Sequence, residues 1–393
     1  MPLGLPGRRN RPIRTRLTPA GWIFLGATVL VGVTAVNSGL ALLFVMLGCM
    51  LGALHVSAVL SHRMIAAVRV RRDLPAHCRQ NQPAHLGYVL RSARRGGGGL
   101  ALRVAELAPG RVALPPAWCG HLPARREYLS RTELTCSRRG RIRLKTLRLS
   151  TTFPFGLLSA SREFRQEGSL LVWPARGTLI GWPLQKGEAE TASPAPSVRA
   201  GGQDEFYGLR EYRLGDNARW IHWRRSAGRP EPVIREMSRP RPRTLWVVLD
   251  THSPDDSPAA RHRRERAIRF AGTLMEDALA AGYRVGAALG HGDRPVVIAP
   301  ADRRAQRQRL LDALADIDDR TTCRLSEIVG RLRHTWLRHA HVVVVGGSDG
   351  GEPLPAEMLM RLRRNCRSLS TVAGDRVAEV FQDDPAAVRA EGG

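Results

Sequence analysis

The stretch Ala20-Gly-Trp-Ile-Phe-Leu-Gly-Ala-Thr-Val-Leu-Val-Gly-Val-Thr-Ala-Val36 decides the architecture of the chain, together with a second apolar run at residues 39–60. Neither run contains a charged residue, and each is close to the roughly 20 residues that cross the hydrocarbon core of a membrane. Only Asn37 and Ser38 separate them, which leaves room for a tight turn and nothing more. A cleaved signal peptide would have a single apolar stretch. The pattern therefore predicts a transmembrane helical hairpin at residues 20–60.

Arginines flank both ends of this hairpin. They are Arg8, Arg9, Arg11, Arg14 and Arg16 before the first run, and Arg63, Arg69, Arg71 and Arg72 after the second. Cytoplasmic segments of membrane proteins carry an excess of positive charge. We therefore expect a basic cytoplasmic tail at residues 1–19 and cytoplasmic soluble domains in a multi-pass protein of the bacterial plasma membrane.

The whole chain is strongly basic, with 61 Lys and Arg against 35 Asp and Glu, a formal charge of +26 over 393 residues. Lys145 and Lys186 are the only lysines, so the excess is almost entirely Arg, as in proteins of GC-rich bacterial genomes. A surface beside an anionic membrane is the next explanation of the charge. Nucleic acid is the least favoured, because the basic residues are spread along the chain without the aromatic strand pattern of an RNA-binding sheet.

The middle of the chain alternates polar and apolar residues with a period of two. Val68 and Val70 alternate with arginines, and residues 86–90, 100–104 and 142–149 are further strand candidates. Several short strands at this spacing predict a β-sandwich-like domain of immunoglobulin-like type at residues 61–182. Residues 183–202, rich in Ala, Pro, Ser, Gly and Glu, predict a linker.

The last third alternates apolar strands with amphipathic helices. Residues 245–250 and 341–345 are the most apolar strands, and helices are predicted at residues 259–281, 303–317 and 325–338. This order predicts an α/β domain with a mainly parallel sheet at residues 244–380, followed by a tail at 381–393. Ligands of such folds bind beyond the carboxyl ends of the strands.

Residues 203–243 contain the most distinctive motif, Arg210-x-Tyr212-x-x-Gly215-Asp216-x-x-Arg219-x-Ile221-x-Trp223-x-x-Ser226-Ala227. It resembles the signature of the DUF58 family of bacterial membrane proteins. The upstream Arg139-Gly and Phe153-Pro-Phe-Gly-Leu157 resemble the same family, whose members have two N-terminal membrane spans and a von Willebrand factor A-like C-terminal domain. The family has no assigned reaction. Its genes commonly lie beside those of MoxR-type AAA+ ATPases and of transglutaminase-like membrane proteins, which implies an adaptor or assembly role with these partners.

The residues of the motif also allow a physical interpretation. Asp216 is a good N-cap for a short helix on which Trp220, Trp223 and Ala227 form one apolar stripe. We predict a partner-binding or interdomain motif made of Arg210, Tyr212, Gly215, Asp216, Arg219, Trp223 and Ser226. The motif is either a staple that buries its tryptophans between domains or a docking surface. Catalysis by Tyr212, Asp216 and His222 is the least favoured interpretation.

Two sequence motifs suggest chemistry that the residues support poorly. A von Willebrand A-like metal site requires Asp-x-Ser-x-Ser after the first strand, but Asp250-Thr-His-Ser-Pro254 places His252 and Pro254 at the serine positions. Asp349 does match the later carboxylate. Gly346-Gly-Ser-Asp-Gly350 has the spacing of a nucleophile elbow, yet no histidine follows Ser348 in the chain.

Other motifs are likewise missing from the sequence. It has no Walker A or Rossmann glycine pattern and no zinc-type Cys/His spacing. We therefore predict a protein without cofactor, metal or small-molecule substrate that is not an enzyme. The alternatives are a metal-dependent binding module or cryptic hydrolase, and a binder of anionic lipid or nucleic acid through the Arg-rich surface.

Overall fold

A computed structural model describes residues 12–93, 98–107, 114–124, 126–181, 206–213, 216–237, 243–252, 257–301, 304–317, 322–346 and 356–384. The chain forms two compact units. The first comprises Met1–Arg176, Leu311–Ile317 and Asp383–Gly393, and the second comprises Gly177–Leu310 and Asp318–Gln382. The predicted linker at residues 183–202 lies outside the described residues.

Two apolar helices stand near the N-terminus of the first unit. Helices α1 (Pro19–Ser38) and α2 (Ala41–Ala67) are long and apolar enough to cross a membrane, and most of their apolar side chains are exposed. Gly39 ends α1 in the left-handed conformation, with φ of 64°, and donates its N–H to the carbonyl of Ala35. This cap makes the tight turn between the helices possible. Helix α2 continues to Ala67, beyond the predicted end of the apolar run.

The strands of the first unit form two sheets. They are β1 (Arg14–Leu17), β2 (Val68–Asp73), β3 (His77–Arg79), β4 (Pro83–Ser92), β5 (Leu100–Glu106), β6 (Ala117–His121), β7 (Glu127–Thr135), β8 (Gly140–Thr151) and β9 (Leu158–Trp173). The larger sheet has the order β1-β9-β8-β5-β6 with β3 also on β9, and the smaller has the order β2-β4-β7. Among the described residues of the first unit, every ladder between these strands is antiparallel except β3–β9.

One apolar core lies between these two sheets. Val70 and Leu86 of the smaller sheet and Leu149 and Val172 of the larger sheet all belong to it. The two sheets, whose strands are mostly antiparallel, thus share one apolar core, and the sandwich-like domain of immunoglobulin-like type remains a prediction. Residues 14–17 of the predicted basic tail pair with β9 as β1. The sequence alone hides this strand, since four residues are too few to show a period.

Helix α1 is joined tightly to the loop between β8 and β9. The Thr18 hydroxyl caps the helix by accepting from the Gly21 N–H at 3.0 Å, and it donates to the Gly156 carbonyl at 2.6 Å. Gly21 lies so close to the Leu157 carbonyl that a Cβ atom at this position would clash with it. The Phe153–Leu157 stretch thus contacts the first turn of the first apolar helix and holds it in place. Arg139, also in the first unit, donates to the carbonyls of residues 314, 315 and 317.

The main sheet of the second unit is mixed. Its strands are β13 (Thr244–Asp250), β14 (Arg284–His291), β15 (Arg294–Ala301), β16 (Ala340–Gly346) and β17 (Ser368–Val372), in the order β15-β14-β13-β16-β17. Strands β14, β13, β16 and β17 pair in parallel, and β15 is an antiparallel edge strand that returns from β14 as a hairpin. The sequence predicts a mainly parallel sheet, and the observed sheet differs from this prediction because its edge strand β15 is antiparallel.

The helices of the second unit are α4 (Pro258–Ala280), α5 (Arg304–Ala315, whose last residues belong to the first unit), α6 (Leu325–Gly330), α7 (His334–Leu337), α8 (Ala356–Asn365) and α9 (Val377–Val380). The single helix predicted at residues 325–338 is wrong, because the chain breaks after Gly330 into α6 and α7. Glycine is a poor helix former, which explains the break. The predicted tail at 381–393 begins with a short strand, β18 (Phe381–Gln382), that pairs with β10 (Thr178–Leu179).

Candidate functional site

The signature motif forms a two-stranded ribbon in the second unit. Strand β11 (Phe206–Glu211) pairs antiparallel with β12 (Val233–Met237), and Glu211 lies opposite Val233. The connection between them contains a 3₁₀ helix, Ala218–Trp220, and the four-residue helix α3, Trp223–Ser226. The 3₁₀ helix and α3 both pack on β12. The motif is thus a small folded connection on its own ribbon.

Arg210 and Asp216 form the centre of this connection. The two guanidinium nitrogens of Arg210 donate to the two carboxylate oxygens of Asp216, at 2.6 and 2.7 Å. Asp216 also accepts from the backbone N–H of Arg213 at 2.9 Å. The hydrogen bonds from Arg210 and then from Arg213 lower the pKa of Asp216 to about 2. Asp216 is therefore a fixed carboxylate that shapes the loop, and it is not available as a general base.

Two further motif side chains close the connection. The Tyr212 hydroxyl donates to the Asp216 carbonyl at 3.3 Å. The Ser226 hydroxyl accepts from the Val233 N–H at 2.9 Å, and the Ser226 hydroxyl donates to the His222 carbonyl at 3.1 Å. His222 caps α3 through a ring nitrogen that accepts from the Arg225 N–H at 3.4 Å. These contacts hold all three candidate catalytic groups in structural roles.

The predicted apolar helix over residues 220–227 is wrong. Ile221 is extended and forms an isolated bridge with Ile234, so the 3₁₀ helix and α3 are separate elements. The bridge buries Ile234 in place of a continuous helical stripe. The predicted cap also differs, since the side chain of Asn217 caps the 3₁₀ helix while Asp216 faces Arg210. Gly215 lies outside the described residues.

Trp223 faces outward. Its side chain is 69% exposed, although a staple between domains would require it to be buried. Arg219, Arg224 and Arg225 are exposed beside it in sequence. We call these four residues the Trp223 surface. The motif therefore divides into an inner scaffold, Arg210, Tyr212, Asp216 and Ser226, and an outward basic and aromatic surface.

The carboxyl end of β13 is the other place where chemistry was expected. Asp250 lies opposite Gly346, so the two loops predicted to carry ligands leave the sheet at the same edge. Burial raises the pKa of Asp250. The hydrogen bond that its carboxylate accepts from the His252 N–H at 2.9 Å lowers this pKa, but by less than burial raises it. The neighbouring Thr251 is fully buried, and its hydroxyl has no hydrogen-bond partner among the described residues.

Outside the described residues lie Ser253, Pro254 and Asp349 of the predicted metal motif and Ser348 of the nucleophile-elbow pattern. In the described part of the chain, no group of three or more His, Cys, Asp or Glu side chains is close enough to hold a metal ion. Asp250 and Thr251 are thus two oxygen-bearing groups at the edge where this kind of fold binds ligands.

Sequence reasoning missed a second cluster altogether. Arg14, Arg16, Arg103 and Arg148 line one cavity of the first unit. They are far apart in the chain, and only strand pairing brings them together. A strand pattern with Arg or Ser at every second position was the one available signal.

Comparison with known proteins supports the assignment of the motif. The family model described as "Protein of unknown function DUF58" matches residues 208–372, from the second half of β11 to the end of β17. The resemblance to this family is confirmed over the signature ribbon and the five-stranded sheet. Comparison with curated proteins finds no match.

Proposed function

We propose that this protein of the DUF58 family is a membrane-anchored cytoplasmic adaptor without catalysis of its own, which docks a MoxR-type AAA+ ATPase through the Trp223 surface. The exposure of Trp223 carries the proposal. Large aromatic side chains on soluble surfaces are uncommon, and Trp and Arg are the residues that dominate the energetics of protein interfaces. Here both occur on the family's own signature segment.

The rigidity of the ribbon supports docking. The Arg210–Asp216 pair is bidentate, and Tyr212 and Ser226 fasten the same loop through the backbone. A loop that is held in one conformation loses little conformational entropy when it binds. The inner scaffold therefore pre-organises the outward side chains without needing them for its own fold.

The charge of the surface indicates the chemistry of the partner. Arg219, Arg224 and Arg225 are close to Trp223 in the sequence, and all three are exposed. Complementary charge steers association and excludes wrong partners. We therefore expect an acidic patch with an apolar pocket on the ATPase. A transglutaminase-like membrane protein is the second partner that we propose, in the same assembly.

The anchor and its orientation are part of the proposal. Helices α1 and α2 expose apolar side chains along most of their length, and both run into the same unit at their basic ends. Burying that apolar surface in lipid is favourable, and the positive flanks favour the cytoplasmic side. We further propose that the second unit is a von Willebrand factor A-like domain.

Capture of the ATPase by the full-length chain in detergent tests the docking proposal. Trp223→Ala and Arg219→Ala should each abolish or strongly reduce capture and leave the melting temperature nearly unchanged, because both side chains are exposed. Truncation of an interface anchor costs about 2 kcal/mol or more of binding. Trp118→Ala is the matched control, since Trp118 is 61% exposed in the first unit.

Variants of the scaffold give the complementary result. Asp216→Ala should lower both capture and thermal stability, since Arg210 then loses its partner. Full capture by both the Trp223 and Arg219 variants would eliminate the Trp223 surface as the docking site. A loss of thermal stability in the Trp223→Ala variant would instead support the interpretation of the motif as a staple between domains.

A metal-dependent binding module is the second candidate function. The partly buried carboxyl of Asp250 favours it, and so does the Thr251 hydroxyl, which has no hydrogen-bond partner among the described residues. Both lie at the carboxyl edge of the sheet. Mg²⁺ prefers such hard oxygen ligands. The replacement of two expected serines by His252 and Pro254 opposes it, and we therefore rank it below the adaptor.

A further inference from the structure

A cavity of about 420 Å³ lies on the larger sheet of the first unit, beside the start of α1. Four neighbouring strands, in the order β1, β9, β8 and β5, contribute to it. Arg14, Arg16, Arg103 and Arg148 line it. All four arginines are exposed; Arg148 pairs with Glu163 at 2.9 Å, and the Arg103 guanidinium lies 5.4 Å from the centre of the Trp118 ring. The lining therefore carries an excess of positive charge, which attracts anions.

The register of the strands explains why these residues meet. Arg14 lies opposite Ser161, which lies opposite Ser150, which in turn lies opposite Arg103. Directly opposite residues of antiparallel strands point to the same face. With strands about 4.8 Å apart, the two arginines are about 14 Å apart at their Cα atoms. Two small serines thus lie between two long arginines, and their hydroxyls contact the backbone carbonyls of those arginines at 3.5 Å, Ser161 that of Arg14 and Ser150 that of Arg103.

The opposite face of the same strands fixes this arrangement. Leu102, Leu149 and Ala160 alternate with the lining residues and are fully buried in the core of the unit. A register slip of one residue would place the arginines in that core. The cavity face is therefore set by the packing of the sheet and does not depend on a mobile loop.

The donors in the cavity suit a phosphate group. Glu163 is the one carboxylate among the lining residues, and it pairs with Arg148 at 2.9 Å. Four arginines and one glutamate leave a formal charge of +3 in the cavity. Guanidinium groups bind phosphate oxygens in a bidentate manner, and serine hydroxyls add neutral donors. The volume is within the range of about 300–1,000 Å³ of small-molecule sites.

The position of the cavity indicates where the phosphate comes from. Thr18 and Pro19 also line it, and Pro19 is the first residue of α1. Trp22, one turn further along, is 63% exposed, and tryptophan is enriched where a membrane helix meets the headgroup layer. If α1 spans the membrane, the cavity therefore opens at the depth of the lipid headgroups.

We infer that this cavity binds the phosphate-bearing headgroup of an anionic phospholipid and thereby fixes the first unit against the membrane surface. The inference rests on the proposed anchoring by α1 and α2, and it goes beyond the docking function, which does not need it. The bound headgroup contacts β1, β8 and β5 and neutralises the excess positive charge of the cavity.

Thermal unfolding of the full-length chain in an uncharged detergent tests this inference. The probes are dioctanoyl phosphatidylglycerol, dioctanoyl phosphatidylcholine and inorganic phosphate at equal concentrations. We expect the phosphatidylglycerol to raise the melting temperature, and the other two to have little effect. The double variant Arg14→Gln/Arg103→Gln should need at least about tenfold more of the anionic lipid for the same shift.

Two further variants make the result decisive. Arg131→Gln/Arg143→Gln removes the same charge from exposed positions outside the cavity and should respond like the wild type. Arg16→Gln/Arg148→Gln removes two positive charges from the other two lining positions of the cavity. With two independent double variants, a folding defect in one of them does not decide the outcome. An equal response of cavity and control variants, or no response of the wild type, overturns the inference.

The outcomes also distinguish a lipid headgroup from a soluble phosphate ligand. They further distinguish failure of the membrane anchoring from failure of the headgroup site. A rise with inorganic phosphate alone would overturn the lipid headgroup in favour of a soluble phosphate ligand. Alkaline carbonate extraction of cell membranes tests the anchor by itself. A chain that is released contradicts the anchoring, whereas a chain that is retained and does not respond to lipid contradicts only the headgroup site.

Discussion

A buried ion pair joins the two sheets of the first unit, and its removal gives the sharpest prediction of stability. Arg72 of β2 donates to both carboxylate oxygens of Glu106 on β5, each at 2.8 Å. The two side chains are 4% and 0% exposed. The Tyr88 hydroxyl donates to the same carboxylate at 3.1 Å, and Arg72 also donates to the Gln166 carbonyl. Glu106 therefore accepts three hydrogen bonds inside the core.

Glu106→Ala should destabilise the first unit strongly. It leaves the Arg72 guanidinium buried without its counter-charge and removes the acceptor of Tyr88. Breaking one partner of a buried pair costs about 3–5 kcal/mol. For a unit of this size, each kcal/mol lowers the melting temperature by about 2–4 °C. We therefore expect a fall of roughly 6–20 °C.

An exposed pair of the same unit is the matched control. Arg91 and Glu127 lie 3.9 Å apart with side chains 61% and 60% exposed. Pairs of this kind contribute about 0–1 kcal/mol, so Glu127→Ala should change the melting temperature by a few degrees at most. The double variant Arg72→Met/Glu106→Leu removes both buried charges and should recover most of the loss, because no unpaired charge remains.

Thermal unfolding of the full-length variants in detergent measures these shifts, and hydrogen exchange over residues 68–173 assigns them to the first unit. The reasoning fails if Glu106→Ala is no more destabilising than Glu127→Ala. It also fails if the double variant is as unstable as the single one, since the cost would then arise from lost packing and not from the stranded charge.

Three further predictions concern the topology, Asp250 and Asp216. A reporter that is active only outside the cytoplasm should work when it is inserted at Ser38 and fail when it is fused after Gly393, and the reverse pattern would place the soluble units outside the cell. Because burial raises the pKa of Asp250, the ionised group destabilises the fold at neutral pH, so Asp250→Asn should raise the melting temperature at pH 7. Millimolar Mg²⁺ should leave the wild type almost unchanged, and a rise of several degrees that Asp250→Asn abolishes would establish the metal-binding alternative. Because the pKa of Asp216 is lowered to about 2, its ion pair contributes stability above about pH 4 that is lost as the pH falls towards 2. Melting curves of Asp216→Asn should lack this component, and identical acid profiles of variant and wild type would contradict the ion pair.

Local patterns in the sequence predicted the elements that depend on local chemistry. The helix predicted at residues 259–281 is α4, Pro258–Ala280, and the strand predicted at 341–345 lies within β16. The two apolar helices follow from composition alone, because roughly 20 uncharged apolar residues fold as a helix where no water can satisfy the backbone. The Arg210–Asp216 pair is equally local, since its two oppositely charged residues are only six positions apart in the chain.

The errors occur where neighbours from elsewhere in the chain decide the conformation. Trp220 and Trp223 have helical spacing, yet the bridge from Ile221 to Ile234 breaks the helix and leaves Trp223 exposed. Short-range propensity is worth only tenths of a kcal/mol per residue, which one buried contact with a strand outweighs. Likewise, Leu325 begins a helical pattern that the fold divides after Gly330.

The sequence by itself therefore determined the two apolar helices, the β-rich and α/β character of the two regions and the presence of the DUF58 signature. Tertiary structure alone decided that the signature shows Trp223 outward and that Arg14, Arg103 and Arg148 share one cavity. The physical reason is the range of the interactions. Periodicity and composition report on neighbours within a few residues, whereas strand register brings together side chains that lie far apart in the chain, as Arg14 and Arg148 do.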